Sequence, residues 1–179
     1  MLDNALITLV ISTLIAGEAT AGIPGTPIAA AFQSTRQGVN TKPTAYIYKI
    51  GDRRYGFTRR DDVWDEAAGR MVHTETQQYE TTFQLSALAT QNPATPDQYT
   101  ASDILNLCAS ILQSSTAIQT FEAQDVGIER VADVRNPYFL DDRDRPEANP
   151  SFDFTMTHKQ IIRSTSPVIE KTEFQILTV

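Results

Sequence analysis

The sequence predicts an α+β domain in which an antiparallel sheet extends into a long β-hairpin arm and packs against one or two helices. Two runs with alternating apolar and polar residues, spanning 43–88, are typical of two half-buried strands. A capping box followed by apolar residues at helical spacing predicts a helix that lies on the sheet. Short turns between the later strand-like runs indicate antiparallel pairing. We expect all 179 residues to form a single domain.

An apolar first segment, Ala5 to Ala16, predicts a buried helix. It is too short to span a bilayer, and the residues before it lack the lysine or arginine of a signal peptide. Asp3 or Asn4 can cap its start and Gly17 can end it. Because the segment is apolar on nearly all sides, we expect a helix that packs in the core or against another subunit.

The hairpin arm is the strongest local pattern. Its first strand opens at Pro43, with Tyr46 and Tyr48 on one face, and its second runs from Met71 to Leu88. A charged tip around Trp64 separates them. The arm is about twice the usual strand length. The dipeptide Gly51-Asp52 is either a bulge within the first strand or a turn that would shorten the arm.

The remainder of the chain alternates helix, strand and loop. Thr100 to Asp103 is the capping box, and the apolar residues from Ile104 to Ile118 follow at helical intervals. Val126 to Val134 is a predicted strand. The charged loop 135–150 contains three prolines and is long enough to be functional or to order on contact. After it, Phe152 to His158 alternates as a strand, and a turn at Ser164 to Pro167 leads to a last run with Phe174 and Ile176.

Composition narrows the classes of function. The chain has 15 basic and 22 acidic side chains, a net charge of −7, which argues against a protein that binds nucleic acid by neutralising phosphates. The single cysteine, Cys108, cannot form an internal disulfide, so the chain has no extracellular disulfide framework. We therefore expect synthesis in a reducing, intracellular compartment.

The candidate chemical groups favour ordinary structural roles. His73 and His158 lie in predicted strands without a motif that supplies a nucleophile or carboxylate partner. Cys108 is on the apolar face of the second helix and is expected to be a core residue. The chain has two acidic clusters, which are Asp61, Asp62, Asp65 and Glu66, and Asp141, Asp142, Asp144 and Glu147. Both clusters lack the glycine of a calcium loop and any histidine or cysteine at zinc spacing. We therefore expect no metal, cofactor or catalytic site.

Charge order along the arm is the one electrostatic feature with a functional interpretation. Four arginines, with Tyr55 and Phe57 between them, run directly into the acidic tip. Such a stretch can bind single-stranded nucleic acid, or it can be a solvated strand face with balanced charges. Adjacent blocks of opposite sign can also complement the same blocks on a neighbouring copy. The predicted subunit contacts are Arg53, Arg54, Arg59, Arg60, Asp61, Asp62, Trp64, Asp65 and Glu66.

The order of elements resembles a known family. An apolar first helix, the stretch from Ala31 to Gly38, the segment Pro43 to Ile47 opening a long hairpin, and a capped helix before the final strands are similar to tail terminator proteins of tailed bacteriophages. The gateway or neck proteins of contractile-tailed phages are the most similar group. The resemblance covers most of the chain. It rests on the order of the elements and on the general character of their sequences.

This resemblance implies a structural virion protein, made in the host cytoplasm, that forms a hexameric ring at the head-proximal end of the tail. Its partners would be copies of itself, the tail tube, the tail sheath and the collar or connector, with no membrane involved. The ring would end tube and sheath polymerisation and leave a channel through which DNA passes without sequence-specific binding. Another neck, collar, head-completion or tail-tube protein is the alternative. A more distant alternative is an enzyme that acts on nucleic acid or on the cell wall.

Overall fold

A computed structural model describes residues 2–22, 25–30, 44–89, 97–140 and 146–167, without the side chains of 138–140 and 146–148. The elements form a five-stranded sheet with three helices and a separate two-stranded sheet. This confirms the predicted α+β class. In chain order they are α1 (Asp3–Thr20), β1 (Ile28–Ala30), β2 (Thr44–Asp65), β3 (Arg70–Leu88), α2 (Ala101–Leu112), α3 (Ser115–Glu122), β4 (Gly127–Val131), β5 (Tyr138–Leu140), β6 (Pro146–Ala148) and β7 (Ser151–Pro167).

The large sheet has the strand order β1-β2-β3-β7-β4 and is mixed. Strands β2, β3, β7 and β4 pair antiparallel, as expected, whereas β1 pairs parallel to β2 through Ile28 and Ala45. A parallel pair needs a crossover of about a dozen residues. The chain between Ala30 and Thr44 is long enough for that crossover, although its path lies outside the described residues.

The arm has three strands, one more than predicted. β3 pairs with β2 from Leu88 to Arg70, and its other edge pairs with β7 along the same length, from Ser86 to Arg70. The predicted turn at Ser164 to Pro167 was wrong, since these residues continue β7 and lie opposite His73 to Arg70. Residues 168–179, with the predicted last run, lie outside the described part of the chain.

Gly51-Asp52 does not divide the arm. The pairing with β3 shifts register between Lys49 and Gly51, which identifies a bulge, and β2 continues without a turn to Asp65. A bulge adds one residue to a strand and bends it without ending the ladder. The predicted long arm is therefore confirmed.

Helix α1 runs past Gly17, which was expected to end it, as far as Thr20. A Cβ added at Gly17 would lie 2.3 Å from Ile111 Cγ2, so this glycine permits the close approach of α1 to α2. The left-handed residue after the helix is Gly22, with φ of +70°. The expected cap at Asp3 or Asn4 was also wrong, because Leu2 occupies the N-cap position and makes no side-chain capping bond.

Helix α2 starts as predicted. The Thr100 hydroxyl accepts the Asp103 N–H, and the Asp103 carboxylate accepts the Thr100 N–H at 2.9 Å. The apolar run predicted as one helix is divided, because Ser114 caps a new helix by accepting the Ala117 N–H. Ile118 therefore belongs to α3.

The helices cover one face of the lower part of the sheet. Buried residues from α1, α2, α3, β2, β3 and β7 form one core, which includes Leu14, Ile104, Phe83, Phe154 and Cys108. Burial raises the pKa of Cys108 to about 12, with a smaller contribution from Glu18. The expected core role of this cysteine is thus confirmed.

Two further observations concern the rest of the chain. Part of the predicted charged loop 135–150 is structured, since β5 pairs with β6 through Tyr138 and Ala148. Among the described residues, no helix combines the length and apolarity that crossing a membrane requires.

Candidate assembly surface

The arm continues both faces of the sheet beyond the helices. We define the helix face as the side that carries Ile47, Phe83 and Phe154, and the open face as the side that carries Tyr48 and Gln84. The helix face is buried up to Thr81 and His158, and it becomes exposed further out along β2 and β7. Beyond the root of the arm, the sheet is therefore one layer thick with solvent on both sides.

Hydrogen bonds and ion pairs within the arm order its tip. The turn that joins β2 to β3 is stabilised by the Ala68 N–H, which donates to Asp65 Oδ1 at 3.1 Å, and by Gly69, which has φ of +58°. Arg60 pairs across the strands with Glu75 at 3.0 Å, and Arg59 pairs with Asp61 at 2.9 Å. These pairs are exposed, and exposed ion pairs add little to stability.

The structure divides eight of the nine predicted contact residues between the two faces. Directly opposite residues in an antiparallel pair share a face, so the register with β3 assigns each one. Glu66 lies in the turn. Arg54, Arg60, Asp62 and Trp64 lie on the helix face, and Arg53, Arg59, Asp61 and Asp65 lie on the open face.

His73 connects the three strands of the arm. Its Nδ1 lies 2.7 Å from Asp62 Oδ1 on β2, and its Nε2 lies 2.8 Å from Ser166 Oγ on β7. The His73 side chain is partly exposed. Because all three groups are on the helix face, this histidine fixes the register of the outer arm.

A buried polar chain lies at the root of the arm, where the helical layer ends. The Thr81 hydroxyl donates to Asp52 Oδ1 at 2.7 Å and lies 2.9 Å from His158 Nε2. Since the hydroxyl has one proton, which goes to the carboxylate, His158 donates from Nε2. His158 is 7% exposed, and burial lowers its pKa.

At the root of the arm, the side chain of Lys49 joins the arm to α1. Lys49 pairs with Asp52 and also with Asp3 of α1, the latter at 2.8 Å. Burial raises the pKa of Asp52, but hydrogen bonds from Lys49 and Thr81 outweigh it and hold that pKa below its usual value. The start of α1 is therefore beside the point where the arm leaves the helical layer.

The open face has its own network below the arm. The Tyr48 hydroxyl donates to Gln84 Oε1, and Gln84 Nε2 donates to Asp153 Oδ1 at 2.6 Å. Arg135 donates to Asp153 Oδ2 at 2.6 Å. Burial and the Asp153 carboxylate raise the pKa of Tyr48. This network links β2, β3, β7 and the segment after β4.

Both long edges of the arm are open among the described residues. β1 covers β2 only from Ala45 to Ile47, and β4 covers β7 only from Phe154 to Thr157. An open edge presents unpaired backbone groups that can pair with another chain. The outer arm also exposes large apolar side chains, which are Tyr55, Phe57, Val63, Trp64, Ile161 and Ile162.

The sequence-based prediction missed two parts of this surface. The third strand, Lys159 to Pro167, was missed because its serines and threonines resembled a turn, although Ile161 and Ile162 belong to a strand-compatible run. A second bulge at Phe57 was also missed. The signal for it was Gly56 inside a strand-like run, since such a glycine often marks a bulge.

No cluster of metal ligands is assembled in the part of the chain that the structure describes. Within it, no three histidine, cysteine, aspartate or glutamate residues gather where they could bind a metal ion. The second acidic cluster is not tested, because Asp141, Asp142 and Asp144 lie outside the described residues and the side chain of Glu147 is not described.

A core with a long, open-edged arm and exposed apolar side chains is typical of a structural subunit that contacts other chains. A family model described as E217 gateway protein gp29 matches residues 5–168. The chain therefore belongs to this family of phage gateway proteins, which confirms the resemblance found in the sequence. Membership makes it a structural protein of the neck or gateway region of a phage particle. A search of curated proteins finds no match.

Proposed function

We propose that this chain forms a hexameric ring at the head-proximal end of the phage tail. The ring ends polymerisation of the tail tube and sheath, and it joins the tail to the collar or connector. The supporting observation is the three-stranded arm, whose outer part has two solvent-exposed faces and two open edges in a member of the gateway family. A subunit with such an arm reaches its neighbours without loss of its own core.

Subunit contacts are assigned to the outer arm. The division of eight contact residues between two faces suits a head-to-tail ring, because each subunit then meets two neighbours through different patches. Exposed ion pairs such as Arg59–Asp61 and Arg60–Glu75 are weak within one subunit, so their partners are available for exchange across an interface.

The charge of the chain suits a channel for DNA. A net charge of −7 repels phosphates at short range, so passing DNA does not adhere. No sequence-specific binding is required, and the function needs neither a cofactor nor a catalytic step. The whole chain acts as one domain, and its arm contacts the neighbouring subunits.

Charge reversal on the arm tests the ring. The double variant Arg59→Glu, Arg60→Glu places two carboxylates beside Asp61 and Glu75 and is expected to reduce ring formation at least ten-fold, because like charges then meet at the interface. Ring formation is measured by native mass spectrometry and negative-stain microscopy. The matched control is Arg130→Glu on β4, away from the arm.

Circular dichroism and thermal unfolding must show that both variants retain the fold. Normal rings from the double variant would contradict the assigned contacts. Microscopy also separates the alternatives, since a tail-tube protein assembles into open-ended tubes and a terminator into closed rings that stop tube growth when added to tube protein.

A further inference from the structure

A second bulge in β2 displays one aromatic ring in solvent. Gly56, Phe57 and Thr58 stand opposite Gln77 alone, because Tyr55 pairs with Gln78 and Arg59 pairs with Thr76. The bend requires the left-handed conformation of Gly56, whose φ is +67°. Phe57 is 101% exposed, so its ring contacts almost nothing in its own subunit.

Hydrogen bonds hold this bulge in place. Gln77 Nε2 donates to Tyr55 O at 3.0 Å, and the Thr58 hydroxyl donates to Gln77 Oε1 at 2.8 Å. One glutamine side chain therefore satisfies groups on both sides of the extra residues. The bulge is a built feature of the strand, and Phe57 is presented in a defined place.

Protection of an open edge does not account for the aromatic ring. A bulge disrupts pairing at an edge, but proteins that protect edges place charges or prolines there. A phenylalanine ring in water does not stabilise the monomer, whereas an interface that buries the ring gains from the removal of apolar surface from water. The side chain therefore indicates a surface that receives it.

The chain itself contains a groove of suitable character. It has a volume of about 420 Å³, lies between α1, α2 and α3, and falls in the range of roughly 300–1,000 Å³ usual for ligand pockets. Small side chains line it, and Ile111 lies at its floor beside Gly17. The walls include Ser12, Ala16 and Thr20 of α1, Ser114 and Thr120.

The bulge cannot enter the groove of its own subunit. The Lys49–Asp3 pair fixes the start of α1 at the root of the arm, and the groove borders the other half of the helix, from Ser12 to Ala21. With a rise of about 1.5 Å per residue, Thr20 lies some 25 Å from Asp3. Phe57 lies beyond the root in the opposite direction, so a contact between the two must join different copies.

The charge around Phe57 is also complementary to the charge around the groove. Four arginines flank Phe57 between positions 53 and 60, where there is no acidic residue, and Arg54 has no ion pair among the described residues. The three helices contain acidic residues but neither lysine nor arginine, and their last turns lack a basic side chain. The carbonyl ends of α1 and α2, which border the groove, are negative helix termini that attract cations.

We propose that Phe57 of one copy docks into the α1–α2–α3 groove of a second copy, with the flanking arginines beside the carbonyl ends of α1 and α2. This inference rests on the proposed ring. A knob and a groove on one chain make a head-to-tail contact, which closes into a ring when the rotation between copies allows it.

Cysteine cross-linking tests the contact in the full chain. The double variant Phe57→Cys, Ser114→Cys is oxidised and run on a non-reducing gel, and it is expected to give a ladder of linked oligomers. Native Cys108 is buried and does not interfere. The matched control, Tyr99→Cys with Ser114→Cys, uses an exposed residue outside the arm and is expected to give no ladder.

Equilibrium sedimentation gives a second measurement. Phe57→Ser is expected to weaken self-association at least ten-fold, whereas Tyr99→Ser, outside the arm, has little effect. Wild-type rings together with an unchanged Phe57→Ser variant and no ladder would overturn this inference and leave the ring intact. Wild-type protein that does not associate with itself would overturn the ring as well.

Discussion

Single residues have roles here that only their neighbours define. Gly17 has the sequence features of a helix terminator, yet it lies inside α1 and allows Ile111 to approach. His158 could be read as a candidate base, yet it is buried and donates to Thr81. Close packing explains both roles. At Gly17 there is no room for a side chain beside Ile111, and His158 is enclosed by the residues around it.

Adding a methyl group at Gly17 tests this close approach. Gly17→Ala places a Cβ 2.3 Å from Ile111 Cγ2 and is expected to reduce the free energy of unfolding by about 1–3 kcal/mol, the usual cost of overpacking. Urea unfolding measures the change. Gly25→Ala, which has open space at its Cβ, is the control and should change stability by less than about 0.5 kcal/mol. Equal stability of the two variants would contradict the assigned role.

His158 predicts a pH dependence of stability. Its pKa in the folded protein is below the unfolded value of 6.5, so the unfolded chain binds the proton more tightly. The stability that neutral His158 contributes is fully present above pH 6.5 and is lost as the pH falls from there through the lower folded pKa. The slope is at most about 1.4 kcal/mol per pH unit for one proton.

Thermal unfolding of wild type and His158→Gln between pH 7.5 and 4.5 measures this effect. Glutamine keeps a donor for Thr81 without the titration, so the variant should lose less stability than wild type over this range. An identical pH profile for the two proteins would show that other groups, such as Asp52, cause the dependence.

At the scale of elements, the arm differs from an ordinary hairpin because β7 supports it. Isolated two-stranded hairpins are marginally stable in water, whereas a third strand allows an independent sheet. β3 is accordingly the central strand of the arm, and His73 links it to Asp62 and Ser166 on its two sides. The arm therefore projects as a semi-rigid sheet that can present Phe57 at a fixed position.

At the scale of the whole molecule, the groove and the arm differ in charge. The carbonyl ends of α1 and α2 are negative helix termini whose last turns have no basic side chain, and the middle of the arm carries four arginines. A head-to-tail assembly brings these regions of opposite sign together. Electrostatic complementarity of this kind speeds association and rejects wrong partners.

Ring formation should consequently depend on salt. Between 0.05 and 0.5 M NaCl the Debye length falls from above to well below 10 Å, which screens exposed charges. The dissociation constant from sedimentation should rise several-fold over that range, and the rise should be smaller in Arg54→Gln. A salt-independent constant would indicate that apolar burial alone holds the copies together.

The sequence by itself determined the class of fold, the long arm, the capped helix and the family. These follow from local physics, because side-chain alternation and capping chemistry depend on residues a few positions apart. It also identified Cys108 as a core residue from its helical position.

Only the tertiary structure decided which strands pair and which faces the charges occupy. The third strand of the arm lies about 80 residues from its partner in sequence, and no local pattern encodes that pairing. The same holds for the close approach of Gly17 to Ile111 and for the groove between α1, α2 and α3. Such features depend on residues distant in sequence that packing brings together, since burial and register are properties of the whole fold.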